Sequence, residues 1–190
     1  EVPALNYDEN RHFFLAHYFR DSYNDALKNY PFIDNSGVQV TRVEVWITNR
    51  QNQTTNARNI VAIQDIGESN PDNIGINAGA NPGFINSSFN AFPDNANNDF
   101  NPRGINDASV QSQLSPAIRD VATVGQGFGN ITVQDGTDYV LLENARKLDN
   151  SQFTLYPGLG YISLNQRLNN DEVLGVAFQY TVGGQVYQVG

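Results

Sequence analysis

The sequence predicts an α+β fold: one long N-terminal amphipathic helix packed on an antiparallel sheet, C-terminal β-meander hairpins, and a long Asn/Gly/Pro-rich loop between them. Three observations lead there. Phe13, Phe14, Ala16, Phe19, Tyr23, Ala26, Leu27 and Tyr30 recur at spacings of three and four, which makes one broad apolar helix face. The last third holds alternating apolar runs punctuated by Asp135-Gly136, Pro157-Gly158 and Gly183-Gly184. Between these halves, residues 67–107 keep neither period and are crowded with Gly, Pro and Asn.

The helix is expected from Asp8 to Tyr30. Asp8 and Glu9 suit the positive end of a helix dipole, and Pro31 pushes the residue before it out of the α region. Val38 to Thr48 reads as a strand. Val38 and Val40 are on one phase, Val43, Val45 and Ile47 on the other, so a bulge or bend is expected near Thr41. Ile60 to Ile63 reads as a shorter, buried strand. After the loop, Asp107 is placed to cap a short helix over Ala108–Leu114. Ser115-Pro116 is placed to open another, which Gly125 stops. Asp135-Gly136 predicts a type I′ hairpin joining Ile131–Gln134 to Thr137–Leu142. Phe153–Tyr156 with Tyr161–Leu164 makes a second hairpin. Val173–Val182 with Gln185–Val189 makes a third, whose two-residue turn pairs Tyr180 with Tyr187 and Phe178 with Val189.

A chain of 190 residues suits a single domain over 1–190, with lobes at about 1–66 and 108–190 joined by the loop 67–107. Neither terminus reads as natural: there is no Met, and the chain stops on a strand, so a piece of a longer protein is expected. Without Cys there is no disulfide framework, thiolate metal site or Cys nucleophile. The net charge of −9 argues against nucleic acid and anionic lipid surfaces as partners. Only 16% of residues are charged, and Asn supplies about one residue in seven. That amide-rich polarity fits a secreted or cell-surface protein. No apolar run approaches the ~20 residues of a spanning helix.

No reacting constellation emerges. His12 and His17 would lie on different sides of one helix, and the His17–Asp21 pair lacks a placed nucleophile. Asn95, Asn97, Asp99 and Asn101 alternate like a calcium loop, but Phe100 and Asn106 stand where such a loop needs Gly and Glu, leaving only an irregular Ca²⁺ site. Gly125, Gly127 and Gly129 lack the spacing and following helix of a phosphate cradle. Asp171 and Glu172 are adjacent and point to opposite faces. The chain is therefore expected to have no catalytic, cofactor or metal residues. Partner contact is assigned to aromatics: Trp46, opposite the Val43–Val45–Ile47 face, and Phe84, Phe89, Phe92 and Phe100 in the loop. For Trp46, cover by a neighbouring element such as the first helix is favoured over exposure. The loop is expected to be the most mobile segment, with some of its aromatics tucked onto the body.

Two stretches carry a family resemblance. FFLAHYFRDSYNDALKNYPFI with GVQVTRVEVWITNR (Phe13 to Arg50), and LENARKLDNSQFTLYPGLGYISLNQRLNNDEVLGVAFQYTVGGQVYQVG (Leu142 to Gly190), resemble the SprA/Sov family of Bacteroidota. The resemblance implies a soluble part, on the extracellular or periplasmic side, of the outer-membrane translocon of the type IX secretion system, which also serves gliding motility. It implies a structural or binding role, without catalysis or cofactor, and with other translocon subunits or secreted cargo as partners. A carbohydrate-binding or adhesin-like cell-surface domain is the alternative that the composition suggests.

Overall fold

The computed structural model describes residues 8–28, 37–50, 54–64, 67 and 92–190. In chain order these form β1 (His12–Phe14), α1 (His17–Leu27), β2 (Gln39–Ile47), β3 (Ala57–Ile63), β4 (Tyr139–Lys147), β5 (Phe153–Tyr156), β6 (Tyr161–Leu164), β7 (Leu174–Val182) and β8 (Gln185–Val189). Short 3-10 turns lie between residues 95 and 128. The strands make two antiparallel sheets, ordered β1-β6-β5 and β3-β4-β2-β7-β8. The larger sheet draws strands from both sides of residues 67–107.

The architecture corrects the expected α+β fold. Among the described residues the protein is mostly sheet, with one short α-helix. Residues 12–14 are extended and pair with β6, His12 opposite Ser163 and Phe14 opposite Tyr161. Asn10 adopts φ 57°, a left-handed conformation that Asn tolerates and a helix does not. Ala16 is extended at φ −153°, and Leu15 N donates to Gly160 O at 2.9 Å. Helical spacing in Phe13 and Phe14 loses to backbone pairing because both are good strand residues and β6 offers them an edge. α1 runs for 11 residues and buries Phe19 and Ala26. Phe19 is fully buried with its ring 6.0 Å from those of Phe178 and Tyr180, a burial that contributes about 2 kcal/mol. The predicted end at Tyr30 lies outside the described residues.

The local signals in the strands hold. β2 shifts register against β7 between Val40 and Arg42, the position of the phase change, and Thr41 Oγ1 donates to Gln179 O at 3.2 Å. The β7–β8 hairpin pairs Tyr180 with Tyr187 and Phe178 with Val189. Its turn glycines have φ 55° and 85°, as a type I′ turn requires. β5 and β6 pair as a second hairpin, Phe153 opposite Leu164.

The first predicted hairpin does not form. Residues 131–134 make no strand, and β4 pairs instead with β3 and, at one end, with β2. The cause is Asp138. Its buried carboxylate accepts from Gln134 N at 2.7 Å while its own N donates to Gln134 O at 2.8 Å, which closes a local turn around Asp135-Gly136. The helix expected over Ala108–Leu114 is also absent. Asp107 and Ser112 side chains accept from Ser109 N and Leu114 N two residues on, turn-forming bonds that compete with a helix. Ser115-Pro116 does open a 3-10 turn, Pro116–Arg119, but Gly125 lies inside a further one, Val124–Phe128.

Three apolar clusters hold the described residues together. Phe19, Val45, Ile162, Phe178 and Tyr180 centre the first, between α1, the small sheet and one face of β2–β7–β8. Phe100, Phe128, Ile118 and Tyr139 centre the second, where the 3-10 segment packs on β3 and β4. Trp46, Leu142 and Ala145 form the third, at the junction of the two strand ribbons.

Candidate functional site

The Asn-rich loop is the first candidate, and it is described from residue 92 onward. Asn95, Asn97, Asn98 and Asn101 are buried. Asn97 Nδ2 donates to Gly67 O at 3.3 Å and to Phe92 O at 2.5 Å. Asn98 Oδ1 accepts from Phe100 N at 2.7 Å, and Asn101 Oδ1 accepts from Arg103 N at 3.1 Å. Asn95 bonds both polar groups of the Gly190 backbone. These carboxamides satisfy an irregular main chain that would otherwise be buried without partners. The oxygens of Asn95, Asn98 and Asn101 are directed at backbone N–H groups. Among the described residues, no group of three His, Cys, Asp or Glu gathers into a metal site.

The aromatics assigned to partner contact are placed as follows. Trp46 is 7% exposed. The β3–β4 ribbon covers it, with the Arg58 guanidinium 5.1 Å and the Lys147 ammonium 5.7 Å from the ring centroid. Lys147 also pairs with Glu44 at 2.9 Å, and this bond, opposed by burial and helped by Arg42, holds the Glu44 carboxyl below its ordinary range. Phe92 is half-buried, 5.4 Å from the Tyr18 ring and 5.6 Å from Tyr187. Phe100 is fully buried, edge-on to Phe128. Phe84 and Phe89 lie outside the described residues, as does most of the loop whose mobility was expected.

The histidines separate. His12 is on β1, with Nδ1 2.7 Å from Ser163 Oγ and Nε2 3.3 Å from Asp8. His17 begins α1. Burial, and then Arg20, lower its pKa from the ordinary imidazole value, while Asp21 acts in the opposite direction. Asp21 itself accepts from Arg20 Nε at 2.9 Å. Asp171 pairs with Arg50 at 2.9 Å, and Glu172 accepts from Asn169, so this acidic pair is divided between two partners.

A cleft that no single stretch of sequence announces lies between β3 and β7. It measures about 880 Å³ and is walled by residues 59–63 of β3 with Gln64 beyond them, by Val173 and residues 174–178 of β7, and by parts of the 3-10 segment and the start of α1. β2 and β4 pair only where Trp46 and Ile47 meet Lys147 and Arg146, so the β3–β4 ribbon is free to fold across Trp46 toward β7. A methyl group on Gly175 would lie 3.4 Å from Ile60 Cδ1 and 3.7 Å from Ala62 Cβ. The walls are mostly half-buried aliphatic groups, and the charged residues among them are Arg20 and Arg119. A second, smaller cleft of about 420 Å³ is polar and includes Arg50, Arg146 and Arg167.

A family model described as motility related/secretion protein, the SprA N-terminal region, matches residues 1–169. The chain belongs to the SprA N-terminal family. No curated protein matches it. The family's description places this SprA-family chain in secretion or motility. No helix among its described residues is long and apolar enough to cross a membrane.

The cleft of this SprA-family chain escaped sequence reasoning because β3 and β7 are distant in sequence. One signal was present: Ile60-Val61-Ala62-Ile63 is apolar on both phases, yet β3 is an edge strand among the described residues. An edge strand without a polar phase marks a surface that something covers.

Proposed function

We propose that this chain is a non-catalytic structural or binding part of the outer-membrane translocon of the type IX secretion system, serving protein export and gliding motility. Its contacts are other translocon subunits or the secreted cargo. The match to the SprA family over residues 1–169 carries this reading. It is supported by the buried Asn amides and divided ion pairs, which serve the fold, and by the lack of any metal-holding group of His, Cys, Asp or Glu among the described residues. In-frame removal of this region from the gene in a gliding member of the Bacteroidota is expected to trap cargo inside cells and abolish gliding, with the remaining translocon still found in the outer membrane. Normal secretion and gliding after that deletion would defeat the reading.

A carbohydrate-binding role is the second reading, and one feature favours it. Phe14, Tyr161 and Tyr156 lie directly across the three strands of the small sheet, with Phe14 and Tyr156 each 39% exposed. His12, Ser163 and Thr154 form a polar row beside them. Aromatic faces beside hydrogen-bonding groups suit a sugar. Saturable binding on a glycan array, lost in Tyr156→Ala, would support this role; an array without binding would remove it.

A further inference from the structure

The smaller cleft gathers basic side chains. It measures about 420 Å³ and lies where the ends of β2 and β4 meet the β4–β5 turn and the segment leading from β6 to β7. Three of the chain's 11 basic residues, Arg50, Arg146 and Arg167, line it, although the chain carries 20 acidic ones. Like charges brought to one concave site repel each other, and a bound anion offsets that repulsion. Main-chain bonds fix the segment on either side of Arg167. Asn165 N donates to Gln152 O at 2.9 Å, and Leu168 N donates to Asn10 O at 2.8 Å.

The polar neighbours of these arginines are engaged with one another. Thr48 Oγ1 accepts from Val173 N at 2.9 Å, Asn165 Nδ2 donates to Ser151 O at 2.7 Å, and Asn169 donates to Glu172 through both N and Nδ2. Arg50 is paired with Asp171. Arg146 Nη1 donates to the neutral Gln152 Oε1 at 3.1 Å. Neither Arg146 nor Arg167 makes an ion pair among the described residues. These two guanidinium charges against the Glu172 carboxylate, which also lines the cleft, leave one positive charge among the described residues. A monoanion matches it, whereas a dianionic phosphate overshoots it in a chain of net charge −9. A guanidinium fork meets a carboxylate through two parallel bonds. Ile47, Leu148 and Leu164, buried members of the first core, also line the cleft and offer an aliphatic surface beside that charge.

We propose that this cleft binds a monocarboxylate carried on an aliphatic group, its carboxylate held by Arg146 and Arg167 and its aliphatic end lying against Leu148 and Leu164. A free short-chain acid and a polypeptide ending in leucine share that chemistry. The inference goes beyond the translocon role and does not depend on it.

NMR titration of the isotope-labelled full chain reads the site directly, through the Nε–H signals of Arg146 and Arg167. The probes are sodium isocaproate and N-acetyl-Gly-Leu with a free carboxylate, compared with the amide of each and with inorganic phosphate. A saturable shift of both signals is expected with a carboxylate, with Kd of about 1 mM or tighter. Isocaproate binding alone assigns the site to free acids, and tighter binding of the peptide assigns it to polypeptide C-termini. Phosphate is expected to bind at least about tenfold more weakly, and the amides not to saturate. Arg167 is exposed, so Arg167→Gln is expected to weaken the carboxylate by about tenfold or more while the thermal unfolding midpoint stays unchanged. Glu172→Gln keeps an oxygen for Asn169 and removes the opposing charge, and is expected to tighten binding about threefold. Absence of saturation with either carboxylate, equal binding of an amide, tighter binding of phosphate, or an unaltered affinity in Arg167→Gln would each overturn the proposal.

Discussion

Asn95 and Gly190 are joined through both ends of one carboxamide: Nδ2 donates to Gly190 O at 3.2 Å, and Oδ1 accepts from Gly190 N at 2.8 Å. The side chain takes the place of a neighbouring strand at the end of β8 and ties the Asn-rich segment to it. Asn95→Asp keeps the shape and the acceptor but replaces the donor with an oxygen facing a carbonyl. It is expected to destabilise the fold by about 1–3 kcal/mol in urea unfolding near neutral pH. The loss should shrink in acid, where a protonated carboxyl again donates. An unchanged midpoint at neutral pH would show that the clamp is incidental.

The Gly160 backbone backs onto the Phe19 ring in the first core. A Cβ on Gly160 would stand 2.0 Å from Phe19 Cδ1, and its φ is +65°. Gly160→Ala is expected to cost about 2–4 kcal/mol from overpacking and left-handed strain together. Gly158→Ala, two residues away, meets nothing within 4 Å and should change stability by less than about 0.5 kcal/mol. Equal denaturation midpoints for the two variants would contradict the packing described.

Tyr180 is fully buried, and its hydroxyl donates to Pro93 O at 2.6 Å. Tyr180→Phe preserves the ring contacts and removes this donor from a buried carbonyl. A loss of about 1–2 kcal/mol is expected, measured by thermal or urea unfolding. A variant as stable as the parent would mean that Pro93 O finds another donor at no cost.

His17 sets a pH dependence. Its folded pKa is lowered, first by burial and then by Arg20, so the fold binds its proton less readily than the unfolded chain does. The neutral ring therefore stabilises the fold fully above the unfolded value of about 6.5, and this contribution is lost as pH falls through the lower folded value. Melting temperature is expected to fall from pH 7 toward pH 5, with a shallower fall in His17→Gln. Parallel profiles for the two proteins would refute this assignment.

The sequence carried more of the sheet than of the helix, and the difference follows sequence separation. The Gly183-Gly184 turn, the bulge at Thr41 and the Phe153–Leu164 hairpin depend on residues a few positions apart, whose alternation and turn chemistry compete with nothing else. The apolar spacing from Phe13 to Leu27 suits a helix equally well over its whole length. β6, distant in the chain, decides that its first part becomes strand. In the same way the local Asp135-Gly136 signal yields to the Asp138 carboxylate and to β3, which takes β4 as its partner.

By itself, the sequence determined the C-terminal registers, the want of a disulfide or thiolate chemistry, and a family resemblance that the match over residues 1–169 bears out. Tertiary structure alone decided that Asn95, Asn97, Asn98 and Asn101 are buried, that the β3–β4 ribbon closes over Trp46, and that β3 and β7 wall one cleft. The reason is physical. Short-range pattern encodes which face of a strand is apolar, whereas its neighbour is chosen by pairing free energies summed over the whole chain.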